Sequence, residues 1–180
     1  MDVDRLVDPD LWTGWGLRTL ASSMGAYDPL SYHNGSVWPH DTAICVAGLR
    51  RAGFAEAAAG LAAGLLAATD ACGGRPPELF AGLSRNELPV PVPYPASCSP
   101  QAWASAAPLL LVRALLGLEP DAPGGRIELN PVLPRGTRHL EVADVPLAGG
   151  RVTIESDGDA VALRGLRPGL AVVRPAERAL

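Results

Sequence analysis

Lysine is missing from this 180-residue chain, and all 15 basic side chains are Arg. A guanidinium stays protonated under nearly all conditions, so Schiff-base and lysine general-base chemistry are excluded. Excess positive charge is missing too. The formal net charge is −4, which leaves no basic balance for phosphate backbones, and nucleic acid is not an expected partner. Cysteine is scarce: Cys45, Cys72 and Cys98 are odd in number and never in a CxxC spacing. That argues against a disulfide framework or a zinc site and makes a reducing compartment the expectation. No apolar run reaches membrane-spanning length, since the longest, Ala52 to Ala68, is broken by Glu56 and diluted by Ala and Gly. The opening Met1-Asp-Val-Asp-Arg5 lacks a basic stretch followed by an apolar one, so no secretory leader is read there. A soluble, cytoplasmic protein without a membrane partner is expected.

Hydrophobic residues make up 48% against 19% charged, which suits a buried core rather than disorder. With Gly 20 and Pro 18, loops must occupy a large share. Composition changes near Glu119-Pro-Asp-Ala-Pro-Gly-Gly125, which reads as a linker between residues 1–120 and a second domain, 126–180. Before it, four helices are predicted. The first is Trp12 to Ser23, weakened by Gly14 and Gly16. The second runs from Pro39 to Ala52, opened by Pro39 and Asp41 and closed by Arg50, Arg51 and Gly53. The third, Phe54 to Ala68, carries Gly60 and Gly64, where another helix could approach closely. The fourth, Gln101 to Leu116, is capped at Ser99-Pro100 and is expected to kink at Pro108. After the linker, Ile127–Leu129, Leu140–Val142, Val152–Ile154, Val161–Leu163 and Leu170–Val173 read as short strands of an antiparallel unit packed on the helical part.

Three segments carry the polar chemistry. Ser31-Tyr-His-Asn-Gly-Ser-Val-Trp-Pro-His-Asp41 gathers two aromatics, two His, an Asn and an Asp around a glycine. Aromatic faces stack on sugar C–H surfaces and the polar groups bridge hydroxyls. The plainer alternative is a loop that caps the second helix, with Trp38 in the core. His33, His40 and Asp41 have no ligand spacing, so no metal is expected. Cys72 to Pro100 is a long loop with seven prolines, a length usually tied to function. Within it, Glu78 lies between Pro77 and Leu79-Phe80, a setting that suits a general acid or base, although a surface Glu in a proline turn fits as well. The third segment is Tyr94-Pro-Ala-Ser-Cys-Ser-Pro-Gln-Ala-Trp103, in which Cys98 reads as a buried structural thiol rather than a nucleophile.

Together, Tyr32-His-Asn-Gly35 with Trp38-Pro39, Pro77-Glu-Leu79, and Ser97-Cys98 with Gln101-Ala-Trp103 resemble the glucosidase part of glycogen debranching enzymes. The resemblance is strongest to bacterial amylo-α-1,6-glucosidase-like glycoside hydrolases, with trehalase, glucoamylase and mannosylglycerate hydrolase types more distant. It covers about Leu11 to Leu118. It implies a mainly α fold: a partial (α/α)6 toroid of the six-hairpin glycosidase kind, followed by a small C-terminal antiparallel β unit.

The resemblance also assigns roles. Glu78 becomes the general base of an inverting hydrolase of α-glucosidic linkages. Tyr32, His33, Asn34 and Trp38 line the sugar subsite, and Gln101 and Trp103 serve substrate binding by supporting the loop of Glu78. The general acid of the family, an upstream Asp, has no match here. The chain is therefore expected to be a C-terminal fragment, inactive alone, with an α-glucan or other α-glucoside as substrate. The missing N-terminal part on another chain is the expected partner, and no cofactor is expected. Two alternatives stay open: a non-catalytic carbohydrate-binding or scaffolding remnant, and a related hydrolase of mannosylglycerate or trehalose type.

Overall fold

Helix formation follows the caps that the sequence supplies. In the computed structural model, which describes residues 3–174, a short helix α1 (Val3–Val7) precedes α2 (Pro39–Arg51) and α3 (Ala55–Ala71). Pro39 opens α2, Asp41 lies in its first turn, and Arg50 and Arg51 lie in its last, each complementing the helix dipole. Gly53, at φ 90°, ends it: Gly53 N–H donates to Arg50 O (3.2 Å) and Phe54 N–H to Leu49 O (2.9 Å). That is a Schellman closure, which needs a left-handed residue and so favours glycine. The end of α3 repeats it, with Gly73 at φ 64°, Gly73 N–H to Asp70 O and Gly74 N–H to Thr69 O.

The two helices form a hairpin. Its seam holds Ala43, Val46 and Leu49 from α2 against Ala58, Leu61, Ala62, Leu65 and Ala68 from α3, all buried. The small alanines bring the backbones close, and the leucines fill what remains. Gly64 serves a different neighbour from the expected helix. A Cβ there would meet the Trp12 ring at 2.5 Å and Gly14 O at 2.6 Å, while Gly60 has nothing within 4 Å. The small-residue notch on α3 therefore receives the loop before α2.

That loop corrects the predicted first helix. Trp12 to Ser23 is not helical; Trp12 bridges Leu17 and Arg18 bridges Val37 in antiparallel fashion. Thr13 Oγ1 donates to Gly16 O (2.8 Å) and accepts from Trp15 N–H and Gly16 N–H (both 3.1 Å). A side chain that occupies three backbone groups, beside Gly14 at φ 86°, offers the chain a turn in place of a helix.

Helix α4 (Ala102–Leu116) runs through Pro108. It starts one residue later than predicted, because the cap comes from Gln101 rather than Ser99: Gln101 Oε1 accepts Trp103 N–H at 2.9 Å. The chain divides into two compact units between Val112 and Arg113, within α4.

In the second unit the expected linker is structured. Glu119–Asp121 forms β1, the turn closes through Gly125 N–H to Ala122 O (3.1 Å), and β2 (Arg126–Glu128) returns antiparallel. The β6 strand (Ala171–Val173) pairs with β2 in parallel, so the unit is not wholly antiparallel. The three other strands, β3 (Leu140–Leu147), β4 (Gly150–Ser156) and β5 (Val161–Arg164), make an antiparallel meander with an irregularity between Val142 and Val145. Alternation sets its faces: Val152, Ile154 and Ser156 are buried, whereas Arg151, Thr153 and Glu155 are not. Residues 175–180 of the expected 126–180 domain lie outside the described residues.

Candidate active site

The first unit ties the polar segments together by a narrow backbone ladder. Thr19 N–H donates to Ser36 O (2.9 Å), and Val37 and Phe80 exchange both bonds, at 2.9 and 2.8 Å. Ala81 N–H donates to Val92 O (2.8 Å), Tyr94 N–H to Leu79 O (3.1 Å) and Glu78 N–H to Cys98 O (3.0 Å). Isolated bridges Val37–Phe80 and Phe80–Pro93 mark the same ladder. Residues 78–81 of the proline-rich loop are thus held by Val37 at one edge and by residues 92–98 of the same loop at the other. Proline tolerates this because its missing N–H falls on an edge or in a turn.

Two glycines permit the approach. A Cβ on Gly82 would fall onto the Gly35 carbonyl oxygen, and a Cβ on Gly35 would meet the Tyr27 ring at 2.7 Å. Arg18, 8% exposed, locks the junction from below. Its Nε donates to Gly82 O (2.8 Å) and its Nη1 to Pro9 O (2.7 Å) and Asp10 O (3.2 Å). Several carbonyl partners satisfy a guanidinium that could not otherwise be buried.

An aromatic cluster sits on this frame. Tyr32 stands edge-on to His33 (4.8 Å between centroids), Trp38 (5.1 Å) and Tyr94 (5.6 Å). His33 stacks on Trp38 at 5.7 Å with 8° between planes. Trp103 meets Trp38 at 6.1 Å and stacks on His40 at 5.0 Å and 21°. Trp38 Nε1 donates to Tyr32 O (3.2 Å) and Ser36 Oγ (3.1 Å), so the indole is anchored at its polar end.

Glu78 is 9% exposed, which sets aside the surface-turn reading of this residue. The Tyr32 phenol is pushed up to about 12, first of all by the nearby Glu78 carboxylate; lost hydration and the charges of Cys98 and Tyr94 add to it.

The remaining sequence-predicted residues take distinct places. His33 and Asn34 are exposed beside the cluster, and Asn34 O accepts Asp28 N–H at 2.8 Å. Gln101 uses its amide oxygen to cap α4, and Trp103 is 43% exposed. Cys98 corrects the expectation of a buried thiol, being exposed. It follows a turn at Pro95-Ala96, closed by Ser97 N–H to Tyr94 O (3.0 Å), in which both turn residues are exposed. Two members of the cluster, His40 and Tyr94, were not among the residues the resemblance assigned to the site. His40 follows Pro39 in the first turn of α2, and Tyr94 sits among alternating prolines that hold an extended backbone.

Elsewhere, a depression of about 330 Å³ on the β unit is lined by Asp144, Arg151, Thr153 and Arg164. Its charges are already paired, Arg151 with Asp144 and Arg164 with Glu155, and it offers no aromatic face. Among the described residues, no group of three or more His, Cys, Asp or Glu could hold a metal ion, and no helix is long and apolar enough to cross a membrane.

A family model described as the mannosylglycerate hydrolase MGH1-like glycoside hydrolase domain matches residues 2–75. No curated protein matches the chain. The match supports a glycoside hydrolase and does not single out amylo-α-1,6-glucosidase. It takes in the Tyr32–Trp38 segment, α2 and α3, and stops three residues before Glu78.

Proposed function

We propose that this chain supplies the sugar-gripping aromatic loop and the water-activating base of an inverting glycoside hydrolase. The observation that carries the proposal is Glu78, nine-tenths buried, tied by its N–H to Cys98 O and close enough to the cluster of aromatic and imidazole rings to raise the Tyr32 phenol. In this reading, Tyr32, His33, Asn34, Trp38 and Trp103 hold a glycosyl unit, with ring faces against its C–H surface. Glu78 takes a proton from a water as that water's oxygen attacks the anomeric carbon. The glycosidic C–O bond breaks on the opposite side, where a carboxylic acid protonates the leaving oxygen. Such an acid stands roughly 6.5–9.5 Å from the base. The acid is expected from another segment, in cis or on a partner chain. The substrate is an α-glycoside of the mannosylglycerate, trehalose or α-1,6-glucan type.

The test is product release and anomer analysis by NMR on mannosylglycerate, trehalose and isomaltose. It uses the chain alone and with the product of any adjacent reading frame. Turnover is expected once the acid is present, with inversion. Glu78→Gln should lower the rate by about 10²–10⁴-fold while sugar binding persists. Robust turnover by Glu78→Gln would overturn the assignment. Binding by every form, with turnover by none, would favour a non-catalytic carbohydrate-binding role.

A further inference from the structure

Trp38 and His40 flank Pro39, whose ring fixes the backbone dihedral between them. Trp38 ends the loop in an extended conformation, at φ −105° and ψ 119°, and His40 is the second residue of α2. Both reach the same side chain. Trp103, in the first turn of α4, meets Trp38 at 6.1 Å and 69°, and its plane lies 21° from that of His40 at 5.0 Å. The Trp38 indole is held firmly, being 8% exposed with its Nε1 bonded to Tyr32 O and Ser36 Oγ. His40 stands on a helix anchored by buried Thr42, Ala43 and Val46. A Trp103 ring covered on one face by His40 and still 43% exposed presents its other face.

We infer that His40 is a positioning residue for Trp103: its imidazole, lying on one face of the indole, sets the ring plane so that the opposite face meets the C–H surface of a sugar. This rests on the reading that the ring cluster holds a glycosyl unit, and it gives a task to a residue which that reading leaves idle. The physical reason is conformational freedom. A tryptophan at the start of a helix turns about two side-chain torsions, and the second is broad. An edge-on contact with Trp38 alone tolerates rotation, whereas a near-parallel ring fixes the plane. An indole set in advance loses less freedom when the sugar arrives, so the ordering cost is not taken from the affinity.

His40→Ala removes the covering ring, His40→Leu restores bulk without a flat face, and His40→Phe restores the flat face. Nitrogen relaxation NMR of the Trp103 indole N–H, identified as the signal lost in Trp103→Ala, reads ring order on the ps–ns timescale. That order should be high in the unaltered chain, fall in His40→Ala and His40→Leu, and recover in His40→Phe. Equal order in all of them would overturn the inference. Affinity is read by calorimetry with mannosylglycerate, trehalose and isomaltose. The best-bound of the three should bind about two- to tenfold more weakly to His40→Ala and almost normally to His40→Phe. In a Trp103→Ala background, His40→Ala should change the affinity no further. A loss that persists in that background, or no loss from His40→Ala alone, also overturns the inference. Binding of none of the three sugars by the unaltered chain would instead refute the sugar-holding reading of the cluster, and the role of His40 with it.

Discussion

Gly82→Ala should loosen the strand that carries Glu78, through a clash that no side-chain movement can relieve. Gly82 N–H donates to Pro29 O at 2.8 Å, and Gly82 O accepts Arg18 Nε at 2.8 Å and Tyr27 Oη at 3.2 Å. The added methyl would overlap the Gly35 carbonyl oxygen, lying 2.8 Å from its carbon and 3.3 Å from Pro29 Cα. All three are backbone atoms. To restore carbon contacts of about 3.5 Å, the Gly35 and Gly82 segments must part. Overpacking of this kind costs about 1–3 kcal/mol. Stretching the neutral bonds costs about 1 kcal/mol each, and the guanidinium bond about 1.5–3 kcal/mol. These effects overlap, and a loss of about 3 kcal/mol or more is expected, a fall in Tm of roughly 10–20 °C for a unit of this size. Thermal unfolding followed by circular dichroism gives the number. Gly60→Ala is the control, because nothing lies within 4 Å of its added methyl inside α3. It should raise stability by about 0.5–1 kcal/mol through helix propensity. A Gly82→Ala protein that melts with the unaltered chain would refute the backbone-contact argument.

Two further predictions concern the surroundings of the site. Asp10 accepts from Ser22 Oγ, Ser23 Oγ, Ser23 N–H and Arg5, which hold its carboxyl well below the ordinary 3.8. A depressed folded value means that the stabilisation is complete above the ordinary value and fades as pH falls below about 4. Urea midpoints for Asp10→Asn should therefore vary less through that acid window than those of the unaltered chain, and identical acid limbs would contradict this. Trp103→Ala should cost about 1 kcal/mol in stability, because the ring is 43% exposed and its partners are Trp38 and His40. Sugar affinity, measured by calorimetry, should fall roughly tenfold; unchanged affinity would remove Trp103 from the site.

Much of the local structure was legible because it depends on neighbours in sequence. The bounds of α2 follow from Pro39 and Gly53, whose backbone preferences act within one turn, whereas α3 runs three residues past its expected end at Ala68 and closes at the left-handed Gly73. The meander strands follow from alternation in Val152-Thr-Ile-Glu155 and from turn residues between the runs. Trp12 to Ser23 was misread because its apolar spacing suits a helix while Thr13 and two glycines make a turn cheaper. The linker was misread because Glu119-Pro-Asp121 has turn-like composition, yet pairs with Arg126–Glu128 across its own turn. The parallel partner of β2 comes from Ala171–Val173, more than forty residues later, and no local signal reports such a pairing.

At the site, the sequence by itself determined the chemical inventory: aromatic rings, imidazoles and one proline-flanked glutamate, with no lysine among the bases. It also determined where the chain must stop being helical. Only the tertiary structure decided that Glu78 is buried, that Gln101 is committed to capping α4, and that His40 and Tyr94 join the cluster. The physical reason is that these facts depend on contacts between segments tens of residues apart. The Val37–Phe80 ladder and the Gly35–Gly82 contact make those contacts possible, and their bonds are set by the meeting of two backbones rather than by the preferences of either one.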